Sequence, residues 1–347
     1  MKKVVYLCMV LILVTSVLLA GCKSAPSGSS GTAAPSGEAV EIKISIDLPP
    51  QDPFAVAAEA LAATITERTN GQYKVTVYAG GTLTAHGELF DMMKSGAIEM
   101  GEAPIEYQAA ADIRFSAVQL PFMLDDMAAN NIFSNLMNER LYNPILAEKF
   151  NVMPLATFTT GMHQYNGTKK AVKTLDDWKG LLLWTANPVA ANTATALGAS
   201  PVNLDFWDGY PALQKGTVDA GICSHPLAVS LFEWYDAVRN ITICNIFGST
   251  SNLFISLDVF NAMTPEVQKI FTEECSKFSA DMANLFIGIQ QESLTALEGE
   301  GVAIYQLPAD ERDKWREATK SVYDDYFSQL DPADVQIIKD CAAEANK

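Results

Sequence analysis

The alternation of apolar and polar residues predicts strands and helices in a regular order in the first part of the chain. Residues 41–48 and 73–78 alternate apolar with polar side chains, the pattern of half-buried strands. Asp52 can cap the helix that follows the first strand, since Asp is a favoured N-cap residue. A short helix over 88–95 and a strand over 97–101 complete a β-α-β-α-β order, which implies a parallel sheet with helices outside it.

The same strand-and-helix rhythm returns between residues 174 and 226. An apolar strand over 181–184 is followed by a helix that Gly198 ends, because glycine accepts the left-handed conformation common after helix C-termini. Asp208 is placed to cap a second helix, which ends at Gly216. In open α/β sheets, small ligands bind where strand ends face helix starts. This stretch is therefore predicted to form one side of a cleft.

Two segments are predicted to connect these two units. Residues 161–167 follow a strand and are interpreted as a loop where the chain crosses between lobes. From residue 264 to about 298, apolar side chains recur at helical spacing, which predicts one helix of about 35 residues, or roughly 50 Å. A helix of that length would span more than one lobe. Two helices with a kink near Gly288 are the alternative.

The N-terminus carries the pattern of an export signal. Residues 1–21 combine a positive start, an apolar run and small residues at the end, as secretion signals do. The final Leu-Ala-Gly-Cys resembles the bacterial lipoprotein cleavage box, so Cys22 is predicted to be lipidated. An uncleaved anchor and an unmodified export signal are the alternatives. Residues 22–39 are rich in Ser, Gly, Pro and Ala, which predicts a flexible tether.

Composition excludes some classes of function. The net charge of −17 and the absence of a basic stripe argue against nucleic-acid binding. Only three histidines occur, and no nucleophile elbow, phosphate-binding loop or metalloprotease motif is present, so the sequence predicts no enzyme, no cofactor and no metal site. Four cysteines of the mature chain could be free or disulfide-bonded: Cys223, Cys244, Cys275 and Cys341.

Three motifs of the central stretch resemble those of the solute-binding subunits of tripartite ATP-independent periplasmic (TRAP) transporters. Residues 177–184 resemble D-x-K-G-L-K-x-R, and residues 197–202 match G-A-x-P-V. Residues 208–219 resemble E-V-Y-x-A-L-Q-x-G-x-V-D. The resemblance implies an α/β fold like that of periplasmic binding proteins, with two α/β lobes, a cleft and a long lobe-spanning helix. The predicted division is 40–161 plus 250–290 for lobe I and 162–249 plus 291–347 for lobe II.

The resemblance also implies a function. A protein of this kind captures a small organic solute in the interlobe cleft and delivers it to a TRAP-type membrane permease. The predicted export signal and Cys22 place it in the cell envelope, in the periplasm or on the outer face of the cytoplasmic membrane, held by a lipid. A binding protein that feeds a chemosensory receptor is the alternative.

One departure from the family pattern bears on the solute. In the family, an Arg at the end of the K-G-L-K-x-R strand binds the solute carboxylate, and Trp184 stands at that place here. Aromatic side chains together with nearby carboxylates suit a cationic amine or an aromatic solute, while an ordinary organic acid remains the alternative. The predicted ligand-binding residues are Asp47, Glu102, His163, Gln164, Trp184, Phe206, Asp208, Tyr210 and His225.

Overall fold

The computed structural model describes residues 39–347. The strands are β1 (Val40–Ser45), β2 (Tyr73–Tyr78), β3 (Met100–Ala103), β4 (Val152–Gly167), β5 (Leu182–Thr185), β6 (Ser200–Asn203), β7 (Ala220–Ser224), β8 (Asn240–Ser256) and β9 (Ala303–Gln306). The helices are α1 (Pro53–Arg68), α2 (Leu89–Lys94), α3 (Met127–Met137), α4 (Asn143–Phe150), α5 (Pro188–Ala196), α6 (Phe206–Lys215), α7 (Pro226–Leu231), α8 (Leu257–Ala262), α9 (Pro265–Gly299), α10 (Ala309–Ala318), α11 (Lys320–Phe327) and α12 (Pro332–Ala345). The predicted signal peptide, Cys22 and nearly all of the tether lie outside the described residues.

The strands form one mixed sheet that runs through both halves of the described chain. Its order is β2-β1-β3-β8-β4-β7-β5-β6, and β9 pairs with β8. At one end, β1 is parallel to β2 and β3. Towards the other end, β5 is parallel to β6 and β7. The two parallel strand-and-helix units predicted from the sequence are confirmed, and antiparallel strands join them.

The joining strands correct one prediction. Residues 161–167 are not a loop, because β4 continues through them and pairs with β8 as far as Gly167. In the same way, the alternation of the sequence predicts separate strands over 241–246 and 253–257, whereas β8 is one strand of 17 residues. The register of β4 against β8 shifts between Thr159 and Gly161 and again between His163 and Tyr165. Such bulges interrupt the alternation of side chains, so the pattern of a continuous strand is lost from the sequence.

Each lobe has its own hydrophobic core, and α9 contributes to both. Phe271 and Phe278 of this helix are buried in the first core, whereas Leu297 near its end is buried in the second. The helix begins after Thr264, whose side chain accepts a hydrogen bond from the backbone N–H of Val267 at 3.4 Å. The helix is continuous over 35 residues. The predicted lobe-spanning helix is confirmed.

The end of the chain departs from the predicted lobe division. The prediction gave residues 291–347 to the second lobe, but Val322 of α11 and Ile338 and Cys341 of α12 are buried in the first core. The physical reason is that α12 packs its apolar side chains against α3 of the first lobe. The other lobe boundaries stay a prediction.

Helix ends match the predicted signals at three of four positions. Asp52 caps α1 by accepting a hydrogen bond from the N–H of Phe54 at 2.8 Å. Gly198 and Gly216 follow α5 and α6 with φ of +94° and +70°. Asp208 does not cap α6, because the helix already begins at Phe206. Packing of Phe206 within an aromatic cluster favours this earlier start.

Two further observations concern the class of protein. A membrane-spanning helix needs about 20 consecutive apolar residues, and none of the helices within residues 39–347 meets that requirement. The four cysteines that the sequence left open, Cys223, Cys244, Cys275 and Cys341, are buried free thiols.

Candidate ligand-binding site

A cavity of about 330 Å³ lies where residues of both lobes meet. This volume suits a small organic molecule. The first lobe supplies a group that we call the acidic wall, made of Asp52, His86, Glu102 and Glu106. The second lobe supplies a group that we call the aromatic wall, made of Phe206 and Phe232.

The carboxylate of Glu102 is buried and fully engaged by neighbouring side chains. His86 Nε2 lies 2.8 Å from one oxygen of Glu102, and Ser251 Oγ donates to the other at 2.6 Å. Asp47 stands behind His86, with its Oδ2 at 3.6 Å from Nδ1. Burial lowers the pKa of His86, but Glu102, Asp47 and Glu106 outweigh burial and raise it above the usual value. The neighbouring carboxylates therefore favour the protonated form of His86.

Glu106 is the least satisfied carboxylate of the acidic wall. Its Oε1 accepts one long hydrogen bond, from Gln119 Nε2 at 3.3 Å. Within residues 39–347, its Oε2 is shielded from solvent and has no hydrogen-bond partner. Burial raises the pKa of Glu106 to about 7, with its own backbone N–H and His86 acting in the opposite direction and Glu102 in the same one.

Asp52 and Asp205 add two carboxylates to the lining of the cavity. Asp52 is buried where it caps α1, and burial raises its pKa to about 6, although the hydrogen bond from Phe54 opposes the shift. Asp205 is exposed and precedes α6. Four residues with carboxylates thus line the cavity, whereas none of its lining residues within the described chain is Lys or Arg.

The aromatic wall is supported by Trp207, which is partly exposed behind it. The ring of Trp207 lies 5.0 Å from that of Phe206 and 5.2 Å from that of Phe232, both nearly edge to face. Such pairs hold aromatic rings in fixed orientations. The wall therefore offers two oriented rings to a ligand, with Leu231 beside them.

Two histidines of the lining are neutral near pH 7. Burial lowers the pKa of His163 to about 3 and that of His225 to about 4, and the proximity of His225 adds to the effect on His163. Their rings are parallel with centroids 6.3 Å apart. His225 Nδ1 accepts a hydrogen bond from the N–H of Ala228, which caps α7. Neither imidazole supplies a positive charge to the cavity.

An amide pair connects the two lobes at the cavity. Asn187 caps α5 by accepting from the N–H of Ala190 at 2.8 Å, and its Nδ2 donates to Gln119 Oε1 at 3.4 Å. Gln119 is buried and is fixed by a bond of 2.9 Å from its Nε2 to the carbonyl of Gly248. The position of Gln119 beside Glu106 is therefore set by groups of both lobes.

The predicted role of Trp184 as a cavity residue is wrong. Its indole is fully buried in the second core, where Nε1 donates to the carbonyl of Leu204 at 3.0 Å. A Cβ atom at either Gly209 or Gly221 would collide with the ring. The two glycines admit the indole to the core, and its ring packs against Phe206 from behind. Trp184 thus supports the aromatic wall without lining the cavity.

The other predicted residues divide into two groups. Glu102, His163, Phe206 and His225 line the cavity, whereas Asp47, Gln164, Asp208 and Tyr210 do not. Gln164 is buried and uses its Oε1 to accept from the N–H groups of Cys244 and Asn245, which closes a bulge in the sheet. Tyr210 donates to Asp236 outside the cavity. These hydrogen bonds explain why the side chains of Gln164 and Tyr210 do not line the cavity.

Sequence reasoning missed the other residues that define the site: Asp52 as a lining residue, Glu106, Gln119, Asn187, Asp205 and Phe232. Glu102 was found because it lies at the carboxyl end of a strand. Glu106 lies only one turn further along, in the short 3-10 helix Ile105–Gln108 that follows this strand. The strand-end rule extended by one turn would have included it. Among residues 39–347, no group of three or more His, Cys, Asp and Glu converges as metal ligands would.

Known proteins resemble this chain over most of its length. A monocarboxylate 2-oxoacid-binding periplasmic protein of Nostoc is 24% identical over 252 residues, which cover 72% of this chain and 69% of the relative. A sialic acid-binding periplasmic protein of Vibrio cholerae is 22% identical over 282 residues, covering 79% and 84%. A crystal structure of a TRAP periplasmic solute binding protein from Ralstonia eutropha, with bound (S)-2-acetolactate, superposes with a TM-score of 0.78. It is 23% identical and covers 88% of this chain and 99% of that one.

A family model also matches most of the chain. The sequence model of the bacterial extracellular solute-binding proteins of family 7 matches residues 44–330. This family consists of substrate-binding transport proteins and not of enzymes, which confirms the prediction that the chain is no enzyme. The predicted resemblance to TRAP solute-binding subunits is likewise confirmed. The chain belongs to family 7 of the bacterial extracellular solute-binding proteins and is the solute-binding subunit of a TRAP transporter.

Proposed function

We propose that the cavity captures a small organic solute that carries a protonated amine on an apolar or aromatic body. The observation that carries the proposal is the charge of the lining, which among residues 39–347 has four carboxylate residues and neither Lys nor Arg. A carboxylate is bound most strongly by a planar guanidinium with two parallel hydrogen bonds. Such a group is missing from the lining, so an amine fits it better than an acid.

The neutral histidines support the same choice. His163 and His225 keep low pKa values, about 3 and about 4, so neither offers a positive charge to an anionic solute. His86, whose protonated form the carboxylates favour, is already paired with Glu102 at 2.8 Å. An anion in the cavity would meet like charges, and like charges in a site of low dielectric repel each other strongly.

The aromatic wall indicates the rest of the solute. Phe206 and Phe232 present ring faces or edges to the cavity, and Tyr107 lines it from the first lobe. Ring faces attract cations and stack on flat apolar groups. A molecule with an ammonium at one end and an apolar body at the other would satisfy both walls.

The family assigns delivery of the solute to a TRAP-type permease, and we further propose that the protein is anchored by a lipid on Cys22. The support is the Leu-Ala-Gly-Cys sequence at residues 19–22 and the Ser-, Gly- and Pro-rich segment after it. Two or more acyl chains give stable anchoring. Mass spectrometry of the mature protein from membranes tests this. Signal cleavage would remove residues 1–21, and lipidation would add acyl mass to Cys22.

An organic-acid solute is the competing possibility, because the Nostoc relative is named for binding monocarboxylate 2-oxoacids. Such a ligand would need Asp52 and Glu106 to be protonated. Their pKa values of about 6 and about 7 allow this in mildly acidic solution. The two possibilities therefore predict opposite responses of affinity to pH.

The test is a thermal-shift screen of amines, matched alcohols and matched carboxylates, followed by calorimetric titration of the strongest binders at about pH 5.5 and about pH 8. A saturating ligand at about 100 times its Kd adds roughly 2.7 kcal/mol to the stability, which is easily seen. We expect amines to bind, and to bind more tightly at the higher pH because Asp52 and Glu106 are then ionised. Carboxylates that bind more tightly at the lower pH, with no amine among the binders, would overturn the amine proposal.

A further inference from the structure

The three carboxylates of the acidic wall differ in their remaining capacity to accept hydrogen bonds. Both oxygens of Glu102 are engaged, by His86 at 2.8 Å and by Ser251 at 2.6 Å. Asp52 uses Oδ1 to accept from the N–H of Phe54 at 2.8 Å, and losing this bond would uncap α1. Glu106 has one bond of 3.3 Å and an Oε2 without a partner in the described chain. Of these three carboxylates, Glu106 alone has an oxygen that is both shielded from solvent and without a hydrogen-bond partner in the described residues.

Gln119, the hydrogen-bond partner of Glu106, is held in place by other groups and cannot move to donate to Oε2 as well. Gln119 is held by Gly248 at 2.9 Å and by Asn187 at 3.4 Å, so its amide is committed on both sides. A buried acceptor without a partner destabilises the folded protein, and more so when it is charged. Such groups are rare in folded proteins and call for a specific explanation. Glu106 lines the cavity, so rotation of its carboxylate about the last side-chain bond would present Oε2 to a donor on a ligand there.

We propose that Glu106 is the residue that selects the solute, by accepting an N–H hydrogen bond from its ammonium group at Oε2. This inference rests on the proposed function, since it names the atom that would receive the amine. Charge-assisted N–H···O bonds of this kind measure about 2.7–2.9 Å and are roughly twice as strong as neutral ones. The solute class is then a primary or secondary amine, because a quaternary ammonium has the charge but no N–H to donate.

The geometry also fixes the direction of the solute. Its ammonium end points to Glu106, beside Gln119 and the cap of α5, and its apolar end points to Phe206 and Phe232. With a ligand donor at Oε2 and Gln119 at Oε1, each carboxylate oxygen of Glu106 would accept a hydrogen bond. The selection is therefore made by one carboxylate and not by the summed charge of the wall.

The experiment measures the affinity of primary arylalkylamines and alkylamines and of their N,N,N-trimethyl analogues by calorimetric titration of the full chain. The proteins are the wild type, Glu106→Gln and, as the matched control, Glu102→Gln. We expect Glu106→Gln to weaken the primary amines by roughly 30-fold or more, as truncation of one partner of a buried charge pair does. We expect Glu102→Gln to weaken them by less than about tenfold, since both oxygens of Glu102 already accept a hydrogen bond from within the protein. In the wild type, the trimethyl analogues should bind at least about tenfold more weakly than the primary amines.

Different outcomes separate this inference from the proposed function. If no amine binds the wild type, both fall. The role of Glu106 is overturned if Glu106→Gln binds amines as tightly as the wild type does. It is also overturned if both variants lose affinity for amines equally. Either result leaves the amine proposal standing. The preference for primary over trimethylated amines is measured on the wild type, so a variant that fails to fold does not remove the test. Equal affinity for the two kinds of amine there also counts against the N–H bond.

Discussion

The two walls of the cavity differ in chemistry, since one is ionisable and the other is aromatic and neutral. The acidic wall consists of buried ionisable groups linked by hydrogen bonds, and burial shifts the pKa of each of Asp52 and Glu106 upward. The aromatic wall consists of neutral rings. Together with Trp207, these rings have centroids separated by 5.0–6.3 Å. The difference indicates a division of labour, in which one wall determines the charge of the solute and the other determines its shape.

The walls also differ in what stands behind them. Behind the acidic wall, Asp47 and Ser251 hold His86 and Glu102 through polar contacts. Behind the aromatic wall, Trp184 fills the second core and contacts Phe206 with ring centroids 5.9 Å apart. Changes behind the first wall should act through electrostatics and pH, whereas changes behind the second should act through packing. The following predictions test that contrast, beginning with the largest effect.

Trp184→Ala should remove the packing behind the aromatic wall. The indole is fully buried, and truncating a buried Trp to Ala costs about 3–5 kcal/mol of the free energy of unfolding. Urea denaturation followed by circular dichroism measures this loss. The matched control is Trp207→Ala, because Trp207 is 43% exposed and should lose far less stability. Equal losses in the two variants would show that the indole of Trp184 is not a core element.

Glu106→Gln should change how stability depends on pH. The folded protein holds a proton on Glu106 up to a pKa of about 7, whereas the unfolded chain releases it near the usual value of 4.5. The raised pKa stabilises the wild type fully below about 4.5, and this contribution is lost as the pH rises through 7. Relative to the wild type, the Gln variant should thus gain up to roughly 3 kcal/mol between these pH values.

The measurement is urea unfolding of the two proteins across that pH range. His86 and Glu102 face Glu106 from neighbouring elements, and Tyr107 and Cys223 also lie close. These groups are present in both proteins, so the difference between the two curves reports on position 106. A difference that stays constant or shrinks with rising pH would contradict burial of the carboxylate.

Phe206→Ala should weaken solute binding by roughly tenfold, because the loss of an aromatic contact is worth about 1–2 kcal/mol. The ring lines the cavity and is half-buried, so stability should fall less than in Trp184→Ala. Calorimetric titration with an amine bound by the wild type measures the affinity. Trp207→Ala serves again as the control, since Trp207 does not line the cavity. If only Trp207→Ala weakened binding, the shape-selecting role of Phe206 would be refuted.

Asn187→Ala should cost about 1 kcal/mol of stability, since it removes the N-cap of α5. Asn187→Asp keeps an oxygen for the N–H of Ala190 and should restore most of that stability. It cannot donate to Gln119, however, so the link between the lobes is lost in both variants. Chemical denaturation compares the three proteins. Two variants of equal stability would mean that the cap contributes nothing.

Much of the fold could be predicted from the sequence because local patterns agree with it. The alternation at 73–78, the cap at Asp52 and the apolar spacing of α9 each act over a few residues and have matching structures. The long strands β4 and β8 could not be predicted, because their bulges break the alternation on which the prediction depends. Pairing between strands distant in sequence determines such elements, and no local pattern reports it.

The site was harder to predict than the fold. The sequence predicted a cavity role for Trp184, but the glycines at 209 and 221, which make room for its ring in the core, are distant from it in sequence. A residue can stand where relatives have a ligand contact and still turn into the core. Glu102 was found from its strand end, whereas the free oxygen of Glu106 depends on the three-dimensional positions of Gln119 and Gly248.

The continuity of the sheet has a consequence for how the molecule melts. β4 and β8 are hydrogen-bonded from one core to the other, and α9 is packed into both. If either lobe unfolded alone, β4 and β8 would lose part of their hydrogen bonding, and the other lobe depends on the same two strands. We expect heating in a calorimeter to produce one peak and not two, as in a cooperative two-state transition.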